Sequence, residues 1–478
     1  MLRRLNWMMG FALIASSLWA GEPIALHPDN PHYFLFRGKP TVLITSGEHY
    51  GAVLNLDFDY IPYLDELQAK GLNLTRLFAG TYREIPGSFG IRDNTLAPLT
   101  GRYLAPWARS ETPGYFDGGN KFDLTKWDEA FFKRLKDFLD QAAKRGVVVE
   151  LSLFCPNYDE KLWKASPMFT GNNVNGIGDL PLKDPYTLKD KALTDVQDAV
   201  VRKIVGELKD CDNLYYELFN EPYFGGVTLE FQAHVAATIA DAEKDFAHKH
   251  LLAQNIANSD MKALTKITQP NPAVSIFNFH YCKPPDVVGL NYALNKPIAF
   301  DETGFRGSKD RAYRTEAWDF MIAGGSVFDN LDYTFSAKSP NGSAEISAPG
   351  GGGPVLREQL KLLKTFIEGF NFLKMAPDAA VIKGGIPAGS KSRALSEAGK
   401  QYAVFIHEPP VDKKPAEKKE PVSFELALEL PAGNYSVEWL NTLSGKIEKN
   451  EAFKHEGGEK RLVSPLYSEE IALRILAK

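Results

Sequence analysis

Asn213-Leu-Tyr-Tyr-Glu-Leu-Phe-Asn-Glu-Pro222 decides how the chain reads. The run opens apolar and aromatic, as a buried strand does. It stops at Asn220-Glu221-Pro222, where proline cannot donate to a sheet ladder. A carboxamide and a carboxylate then stand side by side at a strand's C-terminal end, the face on which (β/α)8 barrels keep their chemistry. A second run, Lys296-Pro-Ile-Ala-Phe-Asp-Glu-Thr-Gly304, delivers Glu302 in the same way. Two glutamates at the ends of two buried strands are the least equipment that cleaves a glycosidic bond.

Working outward, apolar runs alternate with 3.6-period segments, the signature of a parallel sheet with crossover helices. Strands are predicted at Thr41–Ser46, Asn73–Phe78, Val147–Phe154, the Asn213 run, Leu251–Ile256, Ala273–Tyr281, Pro297–Glu302 and Ser326–Leu331. Helices are predicted at Asp57–Lys70, Trp127–Arg145, Ala192–Leu208, Thr228–His250, Arg311–Ile322 and Val355–Leu373, the first two closed by Gly71 and Gly146. Eight strands suit a (β/α)8 barrel over residues 21–375, with long loops after strands two and three and a small hairpin ahead of strand one. A doubly wound sheet is the alternative, but no Gly-x-Gly-x-x-Gly turn follows any strand.

After Ala376 the helix period vanishes. Short alternating segments at Ala379–Lys383, Ser392–Leu395, Gln401–Ile406, Val422–Leu428, Tyr435–Asn441 and Glu470–Ile475 read as an all-β sandwich over residues 376–478. The Lys/Glu/Pro-rich stretch from Pro409 to Pro421 reads as a solvated loop, and Ala348–Pro354 as a flexible one.

The first twenty residues have a basic start, Arg3-Arg4, an apolar centre from Trp7 to Ile14, and Ala15-Ser-Ser-Leu-Trp-Ala20. This is the pattern of a signal peptide and implies secretion, periplasmic or extracellular. The apolar centre is shorter than the ~20 residues of a membrane span, so no span remains after cleavage. The formal charge of −5 makes nucleic acid a poor partner. Three cysteines, Cys155, Cys211 and Cys282, make neither a disulfide framework nor a metal-ligand spacing, and read as free thiols.

Glu221 and Glu302 are 81 positions apart, which fits strands four and seven. With Asn220-Glu221-Pro222, Glu302-Thr303-Gly304, Arg76 late in strand two and His280-Tyr281 ending strand six, the chain resembles the clan-A glycoside hydrolases. These are the retaining (β/α)8 enzymes of the family-5 type. The resemblance implies Glu221 as general acid/base and Glu302 as nucleophile, acting on a poly- or oligosaccharide without cofactor or metal. It implies Asn220 on the sugar 2-hydroxyl, Tyr281 orienting the nucleophile, Arg76 keeping it ionised and His280 lining the site. The strand-eight tryptophan usual in the family is absent from Val327–Thr334.

Loop aromatics offer replacements for that platform, chiefly Trp107 and Trp163, with Tyr82, Tyr115 and Phe116 beside them. His49 after strand one joins the candidate substrate-binding set. Tyr215, Tyr216 and Phe219 are candidate apolar walls for the acid, while Asp301, Asp329 and Asp332 read as structural. The sandwich, through Leu430-Pro-Ala-Gly-Asn-Tyr-Ser-Val-Glu-Trp-Leu-Asn441, resembles the collagen-binding-type modules that follow such barrels, including relatives of the apiosidases. A rival reading keeps the barrel as a non-catalytic carbohydrate- or matrix-binding protein. A phosphate-handling barrel would need a glycine-rich loop that Gly304 and Gly307 do not make.

Overall fold

The computed structural model describes residues 21–256, 265–282, 285–346, 349–410 and 420–478. The leader read at 1–20, Ala348 and most of the Lys/Glu/Pro-rich loop lie outside them. No helix among the described residues is long and apolar enough to cross a membrane.

Eight parallel strands form one sheet: β1 Leu43–Gly47, β2 Leu74–Phe78, β3 Val148–Ser152, β4 Leu214–Glu217, β5 Leu252–Asn255, β6 Ile276–His280, β7 Ile298–Thr303 and β8 Val327–Leu331. Neighbours follow chain order from β2 to β8, and β8 returns to pair with β1. The seam between β1 and β2 is closed by Asn73. Its backbone N–H donates to Ile44 O, its Oδ1 accepts from Ile44 N, and its Nδ2 donates to Val42 O. The result is a (β/α)8 barrel, with all eight strands where the apolar runs place them.

The long crossover helices are α1 Tyr60–Ala69, α2 Glu129–Lys144, α3 Lys191–Glu207, α4 Leu229–Ala242, α5 Asp310–Ile322 and α6 Pro354–Glu368. Asp59, Asp128, Asp190 and Thr228 cap α1 to α4, each accepting from a first-turn N–H. The segment predicted as one helix to His250 ends at Ala242, and Glu243 turns back to bond His250.

Successive inward positions of the strands make layers. The lowest is apolar and takes one residue from each strand: Leu43, Leu74, Val148, Tyr215, Ala253, Ile276, Ala299 and Val327. Phe34 and Phe36, from the small sheet Ala25–Leu26, Phe34–Phe36 and Lys39–Thr41, plug it from below. Two residues further along every strand the side chain is polar and buried: Thr45, Arg76, Glu150, Glu217, Asn255, Asn278, Asp301 and Asp329. That layer is the floor of the site described below.

The long loop after β2 carries a hairpin, Trp107–Pro113 with Asn120–Trp127, that its loop-like reading misses. The C-terminal part is a sandwich of a six-stranded and a three-stranded antiparallel sheet around its own core. Two of its strands, Ile447–His455 and Gly458–Val463, are half-exposed and charge-rich, and escape the sequence reading. The six-stranded sheet docks on α5, where Phe405 stacks on Trp318 at 5.5 Å between ring centroids and Arg314 pairs with Glu470. Packed between the barrel and this sheet, every residue of α5 from Ala312 to Ile322 is buried.

Candidate active site

Glu302 leaves β7 through a bulge. Asn278 of β6 pairs with Ala299, but His280 pairs with Glu302, so β7 carries one extra residue between the two pairings. The register with β8 slips in the same stretch. Adjacent residues of a regular strand face opposite ways, and the bulge relieves this. Asp301 reaches the polar layer and Glu302 rises just above it.

Four groups hold the Glu302 carboxylate. Tyr281 OH donates to Oε1 at 2.7 Å and Tyr50 OH to Oε2 at 2.8 Å. Arg76 Nη1 donates to Oε2 at 3.2 Å, and His280 Nδ1 stands 3.4 Å from Oε1. Burial alone would raise its pKa. The His280 and Arg76 cations, with the hydrogen bonds, outweigh burial and hold the carboxyl well below the usual carboxylate range.

Glu221 sits just past β4 with φ of 42°. Tyr158 OH donates to its Oε2 at 2.7 Å and Tyr223 OH to its Oε1 at 2.9 Å. His280 Nδ1 lies 3.0 Å from the same Oε1. His280 thus stands between the two glutamates. Burial opposes its charge, but Glu302 and Asp301 beside it raise its pKa well above the ordinary imidazole value. Asn220 spans the neighbouring groups, accepting from Arg76 Nη2 at 2.7 Å and donating to Tyr158 OH at 3.0 Å.

The floor below is a cluster of acids around one arginine. Arg76 Nη2 donates to Glu217 Oε2 at 2.5 Å, and its Nε lies 3.5 Å from Asp301 and 4.0 Å from Glu150. Asn278 Nδ2 reaches Glu150, Glu217 and Asp301 together. Burial pushes the Glu150 and Asp301 carboxyls upward. Glu221, His280 and Glu302 bring three metal-ligand atoms close together, as do Glu217, His280 and Asp301. Two cations already face these carboxylates: the Arg76 guanidinium, against Glu217, Asp301 and Glu302, and the His280 imidazolium, against Glu221, Asp301 and Glu302.

A cavity of about 670 Å³ opens above, lined by His49, Tyr50, Glu84, Tyr158, Asn220, Glu221, Tyr281 and Glu302, with Phe89, Phe224 and Phe305 among its apolar neighbours. Among the described residues nine non-glycine positions have positive φ, and five of them line this cavity: Tyr50, Phe89, Glu221, Tyr281 and Phe305. Strain of this kind persists only where surroundings fix it, and it concentrates at functional sites.

The structure brings Arg76, Asn220, Glu221, His280, Tyr281, Glu302 and His49 together. His49 lies on the wall, its Nε2 3.4 Å from Glu84. Trp107 and Trp163 are not in the cavity. Trp107 is buried at the base of the hairpin, and Trp163 is buried against Phe169 with its indole N–H on Leu180 O. Tyr215 and Tyr216 do not wall the acid either. Tyr215 points inward and bonds Glu150, Tyr216 faces outward against His250, and Phe219 packs on Phe154, Tyr186 and Phe231. Tyr158 and Tyr223 take that place. Asp332 is structural, clamped by Arg357, Ser46 and Thr334. All three cysteines are free.

Fold and site together define a (β/α)8 barrel with paired carboxylates at its C-terminal mouth and a docked β-sandwich. Solved structures share that fold. A protein assigned as a glycoside hydrolase from Bacteroides vulgatus superposes with a TM-score of 0.65 at 14% identity, covering 96% of this chain and 82% of the other. A family 5 glycoside hydrolase from the same organism gives 0.62 at 12%, covering 96% and 94%. A further glycoside hydrolase gives 0.62 at 13%, covering 96% and 97%. No family model matches the chain, and no curated protein matches it in sequence.

Proposed function

We propose that the chain is a retaining O-glycosyl hydrolase that works outside the cytoplasm. One observation carries the reading: an oxygen of Glu221, an oxygen of Glu302 and a His280 nitrogen lie within 4.8 Å of one another. Carboxyl groups ~5–5.5 Å apart suit double displacement, whereas inversion needs ~6.5–9.5 Å to admit a water. The shared fold with glycoside hydrolases supports the reaction class, and the leader-like first twenty residues support export.

The geometry divides the labour. Glu302, held ionised, attacks the anomeric carbon while Glu221 gives its proton to the leaving oxygen. The bond from that carbon to the leaving oxygen breaks as the glycosyl ester on Glu302 forms. Water then attacks the same carbon, passes its proton to Glu221 and releases Glu302. The Glu302 oxygen held by Tyr281 and the one held by Tyr50 and Arg76 keep the carboxylate turned toward the cavity. His280, cationic and 3.4 Å from Glu302 Oε1, helps to hold that carboxylate ionised for attack.

The test is Glu302→Gln together with the configuration of the first product. The variant folds normally and loses roughly 10³-fold or more in turnover. Proton NMR of a wild-type digest shows the substrate's own anomer first. Undiminished turnover in Glu302→Gln overturns the assignment, and an inverted first product overturns the double displacement. Glycan binding that no wild-type turnover accompanies returns the protein to the non-catalytic reading.

A further inference from the structure

Every cavity-lining side chain that is substantially exposed is a phenylalanine: Phe89 at 43%, Phe224 at 43% and Phe305 at 40%. They come from the loops after β2, β4 and β7. Two of them, Phe89 and Phe305, sit on positive φ, 54° and 59°, a backbone state that bulky residues rarely adopt. The polar lining groups, His49, Glu84, Asn220 and the two glutamates, all lie deeper.

The rings are not placed evenly. Phe89 meets the Tyr158 ring edge-on at 5.1 Å, and Phe224 meets the same ring at 5.4 Å. Tyr158 is the residue whose hydroxyl donates to Glu221 Oε2. Phe89, Tyr158 and Phe224 therefore form an aromatic clamp over the acid, which is where a leaving group must lie. Phe305 stands across the cavity by Tyr281 and Tyr333, on the nucleophile's side. The one hydroxyl in the clamp is committed, since Tyr158 OH donates to Glu221 and accepts from Asn220. The two exposed phenylalanine faces offer a sugar's hydroxyls no hydrogen-bond partner. An apolar group would lose nothing there and would shed water from its own surface and from two phenylalanines.

We propose that the clamp of Phe89, Tyr158 and Phe224 receives an apolar aglycone, so that the substrates are glycosides of an alkyl or aryl alcohol. The inference rests on the hydrolase reading above and adds the leaving-group class to it. The deeper polar groups would hold the glycone.

Two substrates with the same glycone test it, one carrying n-octanol and the other a glucose unit as leaving group. The glycone is the one the wild-type protein releases best from a set of nitrophenyl glycosides. Steady-state kcat/KM is compared among wild type, Phe89→Ala, Phe224→Ala and Phe305→Ala. Mutational change within each substrate cancels the intrinsic difference between leaving groups. The expected result is that Phe89→Ala and Phe224→Ala each lose at least about tenfold more on the octyl glycoside than on the disaccharide. Phe305→Ala should lose both in equal proportion. Equal losses on both substrates in the clamp variants overturn the inference and leave the hydrolase standing, with the rings then stacking on a sugar. No turnover of any glycoside by the wild type overturns the hydrolase and this inference with it.

Discussion

Arg76 Nη2 donates to Glu217 Oε2 at 2.5 Å, entirely inside the barrel and one layer below Glu302. The bond fixes a guanidinium whose other terminal nitrogen reaches Glu302 at 3.2 Å. A planar fork can serve both carboxylates at once, and an ammonium cannot. Two features of the chain meet here, the acid inside the Asn213 strand and the arginine of β2.

Arg76→Met is accordingly expected to damage stability as well as catalysis. It leaves Glu150, Glu217, Asp301 and Glu302 around an apolar side chain. Breaking a buried pair by removing one partner costs about 3–5 kcal/mol. Denaturant unfolding measures this, and a loss below about 1 kcal/mol would mean that the acids share protons well enough without the arginine. Arg76→Lys should fall between, because it keeps the charge and loses the fork.

His280 bears most directly on the ionisation of Glu302. Burial pushes the Glu302 carboxyl up, and His280 is the first of the groups that pull it down. Removing the imidazolium in His280→Ala lets that pKa rise. A smaller fraction of Glu302 is then ionised on the acid side. The acid limb of kcat/KM moves to higher pH, and activity at about pH 5 falls by more than activity at about pH 7. A pH–rate profile decides it. An unmoved acid limb with a uniformly lower plateau would reduce His280 to a packing role.

The fold was legible in the chain because each barrel strand is an apolar run ended by a turn or a charge, as Val147–Phe154 and Ser326–Leu331 are. The site was legible where it lies on those strands or within a few residues of their ends: His49, Arg76, Asn220, Glu221, His280, Tyr281 and Glu302. Tyr158 and Glu84 come from long loops whose course depends on tertiary packing, and no local period marks them. Tyr50 is next to His49, but only its positive φ turns its ring toward Glu302. Trp107 and Trp163 misled for the same reason in reverse. Aromatics in a long loop can pack the loop or meet a ligand; Trp107 fills the hairpin after β2, and Trp163 packs on Phe169 in the loop after β3. The bulge in β7 left no trace, since Ala299 to Glu302 reads as an ordinary strand end.

The sandwich and the barrel should unfold as one unit. Trp318 and Phe366 of the barrel share one apolar cluster with Leu395, Phe405 and Ala472 of the sandwich. Phe405→Ala is expected to cost about 3–5 kcal/mol and to lower a single thermal transition. A chain ending at residue 375 would expose that face of α5 and aggregate. Two separated calorimetric transitions, with only the later domain affected by Phe405→Ala, would show independent domains instead.

Stability should also fall as pH rises through neutrality, and Glu48 is one cause. Its buried carboxyl accepts from the backbone N–H groups of Gly51 and Ala52 and from Thr95 Oγ1, and so shapes the loop that presents His49 and Tyr50. Burial outweighs these bonds and lifts its pKa to about 7. The folded state therefore binds the proton more tightly than the unfolded chain, whose glutamate titrates near ~4.3. The stabilisation is present in full below that value and is lost as pH rises through about 7. The raised Glu150 and Asp329 carboxyls act in the same direction, whereas the depressed Glu302 acts in the opposite one only at pH below the unfolded glutamate's ~4.3. The difference between wild type and Glu48→Gln isolates the term. The glutamine cannot accept from both N–H groups, so the variant starts less stable at about pH 5 and loses less Tm than wild type on going to about pH 8. Parallel Tm curves for the two proteins across that interval would mean that Glu48 keeps the same protonation state folded and unfolded.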